Sequence, residues 1–210
     1  MDQTGFGVNS SHSPETLSFV TKKGSEIASV FDDLARLRIG VFRDFPYLYE
    51  GSIDYEKEYL KTYTQSRRSF LFAVYSGSQM VGATTCIPLS DETADIRKPF
   101  EEASYDLDKI FYFGESILLP SFRGLGLGHR FFDEREAHAR QFDTFKKTCF
   151  CAVERPENHP AKPLDYRPND AFWLKRGYRK QPALQSLMEW PDVGEVASTP
   201  KRMVYWMRDL

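Results

Sequence analysis

Apolar residues change their spacing along the 210-residue chain in an ordered succession. Leu17–Thr21 partly alternates and reads as a first strand. Over Ser25–Phe42, residues Ile27, Val30, Phe31, Leu34, Leu37 and Val41 fall on one stripe, which predicts an amphipathic helix ending before Pro46. Residues 47–66 mix aromatics with charges. Tyr55, Tyr59 and Tyr63 recur four apart there, giving a second helix an aromatic edge that either packs on a sheet or lines a substrate mouth. Two apolar runs, 69–75 and 80–88, flank the turn Ser76-Gly77-Ser78-Gln79 and predict a hairpin. The acidic stretch 89–108 lacks strong periodicity and reads as a solvated connection, a lid being the alternative.

Residues 110–119 (IFYFGESILL) are apolar except at Glu115 and Ser116, as in a strand covered on both faces. Pro120 ends it. A helix over 129–142 then crosses over to a strand at 148–154, which is therefore parallel to the first. A proline-rich loop over 155–168 leads to a short helix over 169–176, stopped by Gly177. Two antiparallel strands near 185–190 and 203–208 close the chain. The pattern is α/β (α+β), a mixed sheet flanked by helices, with a loose polar tail over 1–16 and one domain over 17–210.

Composition narrows the function. Hydrophobic residues make up 41% and charged residues 28%, as in soluble globular proteins, and a net charge of −2 gives no basic footprint for nucleic acid. No apolar run is long enough for a membrane span, and the polar N-terminus does not read as a secretory signal, so a cytoplasmic protein is expected. The three cysteines fit that compartment as buried thiols; Cys149 and Cys151 alternate, so they share one strand face. His129, His138 and His159 have no ligand partners at metal spacing, and no metal is expected. His129 stands at the start of a helix, His138 reads as surface, and His159 lies in the proline-rich loop.

The most telling stretch is Arg123-Gly124-Leu125-Gly126-Leu127-Gly128, between the central strand and its helix. The first turn of a helix has N–H groups without intrahelical partners and the positive end of the dipole, and glycine lets an anion approach the backbone. A dinucleotide fingerprint would place its third glycine at His129 or Phe131, and a P-loop needs Gly-Lys where Gly128-His129 stands, so both fail on spacing. The stretch resembles the acetyl-CoA signature of the GNAT superfamily of N-acetyltransferases, Gln/Arg-x-x-Gly-x-Gly/Ala, filled by Arg123, Gly126 and Gly128. Further on, Phe172-Trp173-Leu174-Lys175-Arg176-Gly177-Tyr178 is similar to that superfamily's Phe-Tyr-x-Lys-x-Gly-Phe.

The resemblance implies a GNAT-type fold with a twisted mixed sheet of about seven strands, and acetyl transfer from acetyl-CoA to a primary amine of a small molecule or peptide in a ternary complex. It implies pantetheine paired like an added strand beside Ile117, Leu118 and Leu119, and pyrophosphate on the amides of Arg123, Gly124, Leu125, Gly126, Leu127 and Gly128, with His129 and Trp173 nearby. Glu115, the one carboxylate inside the central strand, is the expected base, in surroundings expected to be apolar, the alternative being a carboxylate that holds a strand bulge or an ion pair. Glu154 is the second choice, or a binder of the substrate ammonium. The superfamily's usual acid, a tyrosine, is replaced by Trp173, whose indole N–H is no practical acid; Tyr166 or water would serve instead. That substitution keeps a second reading in view, a catalytically quiet acyl-CoA sensor. Homodimers are frequent in the resembled superfamily, and the region of Trp190 and Trp206 would be the exposed surface for one, the alternative being that either tryptophan is core.

Overall fold

The computed structural model describes residues 16–210, so the expected tail lies outside the described residues except for Thr16. Seven strands form one sheet in the order β1-β2-β3-β4-β5-β7-β6: β1 Leu17–Lys23, β2 Phe70–Ser76, β3 Gln79–Pro88, β4 Ile110–Leu118, β5 Lys147–Val153, β6 Arg179–Trp190 and β7 Thr199–Asp209. Every neighbouring pair is antiparallel except β4 and β5. The helices are α1 Phe31–Phe42, α2 Ile53–Gln65, α3 Ala94–Glu102, α4 Leu127–Ala139 and α5 Asp170–Lys175. The mixed, seven-stranded, helix-flanked sheet expected from the sequence is the one observed. Among the described residues no helix is long and apolar enough to cross a membrane.

Two apolar clusters cover the two faces. One gathers Leu34, Leu37, Leu60 and Phe100 from α1, α2 and α3 against Tyr112 and Ile117 of β4; the other sets Phe131 and Phe132 of α4 on Phe111 and Phe113. Alternation along β4 thus feeds both faces, which explains its nearly continuous apolar run.

Several expectations change. Residues 24–30 form a 3-10 turn ahead of α1, and 47–52 are a loop, so α2 starts at Ile53 on the Ser52 cap, whose side chain accepts from the Tyr55 N–H. The stretch 89–108 is not a solvated connection: it forms α3, whose Ile96 and Phe100 are fully buried, with Phe100 edge-on to Tyr205 at 4.8 Å. Its apolar positions are few but correctly spaced for one face. The supposed surface histidine His138 is buried against Phe70 and bonds the Arg68 carbonyl oxygen at 2.9 Å. Trp190 and Trp206 are likewise buried, so they offer no exposed dimer surface. Cys149 and Cys151 do share one face of β5.

Candidate functional site

Two features meet where β4 and β5 part. Their ladder runs only from Ile110–Lys147 to Tyr112–Cys149, after which β5 stays with β7 while β4 continues beside β3. From Phe113 onward β4 therefore has no strand on its β5 side. Ile117, Leu118 and Leu119 lie on this part of the chain, Ile117 buried and the two leucines half-buried.

The chain leaves β4 through a short 3-10 turn, Pro120–Phe122, into the glycine stretch. Gly124 and Gly126 hold φ near +81° and +79°, the left-handed region where L side chains are strained, and a Cβ at either would meet no protein atom within 4 Å. Gly126 caps α4, which begins at Leu127, two residues earlier than its apolar spacing predicts. Gly128 is an ordinary helical residue with Phe172 3.7 Å from a built Cβ. Among the described residues the N–H groups from Gly124 to Gly128 have no hydrogen-bond partner. A run of free amides at the positive end of a thirteen-residue helix is a fit for a diphosphate. Leu125 and His129 are exposed here, and the Arg123 Nε donates to the Leu118 carbonyl at 3.3 Å, keeping that guanidinium by the turn.

The second feature is a bulge in β4. Thr84 pairs with Ser116 and Cys86 with Phe113, so Gly114 and Glu115 together oppose Thr85. Strict alternation would send Glu115 to the α4 face; the extra residue turns it to the α1–α2 face instead. Side chains pin the bulge. The Thr84 hydroxyl donates to the Glu115 carbonyl at 2.9 Å, and the Glu115 N–H donates to the Thr85 hydroxyl at 3.3 Å. Gly114 is needed for closeness: a Cβ there would lie 2.0 Å from the Tyr63 hydroxyl and 2.5 Å from Thr85 Oγ1.

Glu115 opens into a cavity of about 510 Å³ bounded by α1, α2, the start of α3 and β4 to β7. Its neighbours are not apolar, as expected, but ionic. Arg38 of α1 donates from Nη1 to Glu115 Oε2 at 2.6 Å and from Nε to Glu56 of α2, with all three side chains at most 11% exposed. Burial works against the Arg38 charge, but the two carboxylates outweigh it and hold its pKa well above the ordinary value. The Arg38 guanidinium also lies over the Tyr59 and Phe42 rings, at 4.6 and 5.1 Å. Each carboxylate thus spends one oxygen on Arg38. Glu115 Oε1 is buried with no hydrogen-bond partner among the described residues, the buried Tyr49 hydroxyl lies beside Glu56, and all three residues line the cavity.

Arg38 and Glu56 were not singled out from the sequence, although a signal existed. Arg38 follows Leu34 by four residues and Glu56 precedes Leu60 by four, so each charge sits beside an apolar stripe, where an ion needs a partner. Of the three tyrosines, Tyr55 and Tyr59 line the cavity, whereas Tyr63 is buried and donates to Glu92 at 3.2 Å. Tyr112 and Cys151 add a further wall, hydroxyl to sulfur 3.1 Å; burial pushes the Cys151 thiol up to about 12.

The remaining sequence candidates lie elsewhere. Glu154, one residue past β5, is held by Lys180 and by Arg202 at 3.1 Å; the hydrogen bond from Lys180, then the two cations, depress its pKa, and it does not line the cavity. Tyr166 is half-buried in the 155–168 loop, edge-on to Phe45 at 4.7 Å, and also outside the cavity lining. Trp173 of α5 fills the space beside Phe150 and Trp206, 5.0 and 5.1 Å away. His159 packs near Phe45. No group of three potential metal ligands occurs among the described residues.

Comparison with known proteins agrees with this geometry. The chain matches the acetyltransferase (GNAT) family model over residues 34–167. Its fold is similar to a solved putative acetyltransferase from Acinetobacter baylyi (TM-score 0.58, 12% identity, 93% of each chain). It is also similar to a ribosomal-protein-alanine N-acetyltransferase from Brucella melitensis (TM-score 0.56, 10% identity, 91% of this chain and 99% of that one). A Thermus thermophilus acetyltransferase aligns with TM-score 0.52 at 15% identity, over 93% of this chain and 97% of that one. A comparison with curated protein sequences finds no match. The family model, the parted strands and the free-amide turn converge on one assignment: the chain belongs to the acetyltransferase (GNAT) family, and its general chemistry is acetyl-CoA-dependent acyl transfer.

Proposed function

We propose that the protein transfers an acetyl group from acetyl-CoA to a primary amine bound in the cavity, directly and within a ternary complex. The observation that carries this reading is the buried, unpartnered Glu115 Oε1 at the mouth of the strand divergence, reached from the free-amide turn along β4. When bound, acetyl-CoA supplies the activated thioester carbon. The amides of Gly124 to Gly128 hold its diphosphate, the β4 edge at Ile117 to Leu119 lines its extended arm, and Arg123 and His129 flank that path.

An alkyl ammonium with pKa near ~10.4 must lose a proton before it can attack. Glu115 takes that proton and passes it to solvent. The amine nitrogen then bonds the acetyl carbon as the carbon–sulfur bond breaks, and the nitrogen's second proton leaves with the sulfur to give the thiol. Because a thiol has a pKa near ~8.5, departure as thiolate needs little help, which suits a site whose tyrosine slot holds Trp173. Tyr166, with its pKa raised by burial and then by Asp170, is a poor acid. A covalent acyl-cysteine route is disfavoured because the one thiol in the lining, Cys151, stays protonated. Glu154 serves as a surface anchor for β6 and β7.

Thiol release from acetyl-CoA with a panel of primary amines tests the proposal. Amine-dependent release by the native protein, lost in Gly126→Asp, is expected. Acetyl-CoA binding without release for any amine would instead support the quiet sensor.

A further inference from the structure

Resting on that reading, the charge layout of the cavity identifies its acceptor more closely. Its lining holds four carboxylates, Glu56, Asp95, Glu115 and Glu189, against the single cation Arg38. The charges lie at two depths. Inside, Glu56 and Glu115 share Arg38, a cluster with one net negative charge in which Glu115 Oε1 lacks a donor and Glu56 has only the Tyr49 hydroxyl beside it. At the surface, Asp95 on the first turn of α3 and Glu189 near the end of β6 are exposed, and neither has an ion-pair partner among the described residues. The rest of the lining is largely aromatic, Tyr55, Tyr59, Tyr112 and Trp190 among it.

A monoamine would use the inner cluster and leave the outer carboxylates idle. An acceptor with its own carboxylate would meet three net negative charges, since Arg38 is already engaged twice. An aliphatic chain with an ammonium at each end satisfies every part. One ammonium donates to Glu115 Oε1, the methylenes lie on the rings, and the second ammonium sits between Asp95 and Glu189. Aromatic faces suit both the apolar stem and the cations.

We propose that the acceptor is an alkyl diamine or polyamine, acetylated at the inner nitrogen and held at the outer one by Asp95 and Glu189. The outer ammonium keeps its protons throughout, so the balance of the transfer is unchanged.

The test is kcat/KM for linear α,ω-diamines of three to six methylenes, against monoamines of equal length, in the native protein, Asp95→Asn, Glu189→Gln and the double variant. Partly exposed ion pairs are worth a few-fold each, so the diamine advantage should be about tenfold and should collapse toward one in the double variant. Monoamine turnover should stay near native in Asp95→Asn, whereas a merely structural role for Asp95 at the α3 terminus would lower both substrates alike. The diamine advantage should also shrink in raised salt, because the outer contact is screened. Turnover of monoamines with no diamine advantage, or an advantage that survives in the double variant, overturns the proposal and leaves acetyl transfer standing. Intact acetyl-CoA binding with no turnover of any amine overturns both.

Discussion

Replacing Arg38 by Met keeps an unbranched apolar stem but deletes the only cation between two buried carboxylates. The Glu56 side chain is fully buried and that of Glu115 is 1% exposed, so water reaches either carboxylate only from the cavity side. Leaving a buried ion unpaired costs about 3–5 kcal/mol. Loss of the two charge-assisted hydrogen bonds alone, at about 1.5–3 kcal/mol each, gives the same order. Two facing carboxylates then relieve their repulsion only by taking up a proton. The folded variant therefore binds more protons than its unfolded chain, and its deficit against the native protein should shrink as pH falls and grow as pH rises. Urea unfolding at pH 5.5 and pH 8 with a common m-value reads both effects. As an internal comparison, Glu56→Gln leaves the Arg38–Glu115 pair intact and should cost clearly less. A loss below about 1 kcal/mol, or a deficit independent of pH, would refute the view that Arg38 neutralises a desolvated pair.

Three further outcomes follow from the same geometry. Gly126→Ala places a Cβ in open space but at φ near +79°, so it should cost only about 1–2 kcal/mol of stability while weakening acetyl-CoA binding in calorimetry far more than that strain explains. Gly114→Ala would drive a Cβ into the Tyr63 and Thr85 hydroxyls, and thermal unfolding should show a loss of about 1–3 kcal/mol, the cost of overpacking. Burial raises the Glu92 pKa from 4.5 to about 7 despite its bonds from Thr93 and Tyr63. A carboxyl raised on folding contributes stability that is full below about 4.5 and lost as pH rises through about 7; Glu92→Gln should remove that dependence and be worth up to about 3 kcal/mol relative to the native protein at pH 8.

The sequence made the order of elements and the anion turn legible because both are local: periodicity sets strands and helices, and left-handed glycines announce themselves as glycine. Gly124 and Gly126 needed no tertiary knowledge. The acceptor cavity was less legible because it is assembled from segments far apart. Glu115 stood out as a charge in an apolar strand, but its companions come from α1 and α2, and nothing local links residue 38 to 56 or 115. The bulge was equally hidden. Gly114 hinted at it, yet whether Glu115 faced α4 or α2 depended on a one-residue register shift against β3. Residues 89–108 do not announce a helix because α3 buries only a narrow face, Ile96, Pro99 and Phe100, within an acidic surface. Glu154 looked catalytic because it ends the parallel strand, but β6 and β7 deliver Lys180 and Arg202 to it, partners that sequence distance conceals.

The most direct single measurement is the turnover of Glu115→Gln with a saturating amine, beside its acetyl-CoA affinity. The side chain keeps its size and can still accept from Arg38, while the oxygen facing the cavity loses its capacity to take a proton. A fall in kcat of about 10²–10⁴ with unchanged acetyl-CoA binding, partly recovered at high pH where free amine is abundant, is expected of a general base. Native-like turnover in Glu115→Gln at neutral pH would contradict the central claim and reduce the residue to an anchor for Arg38.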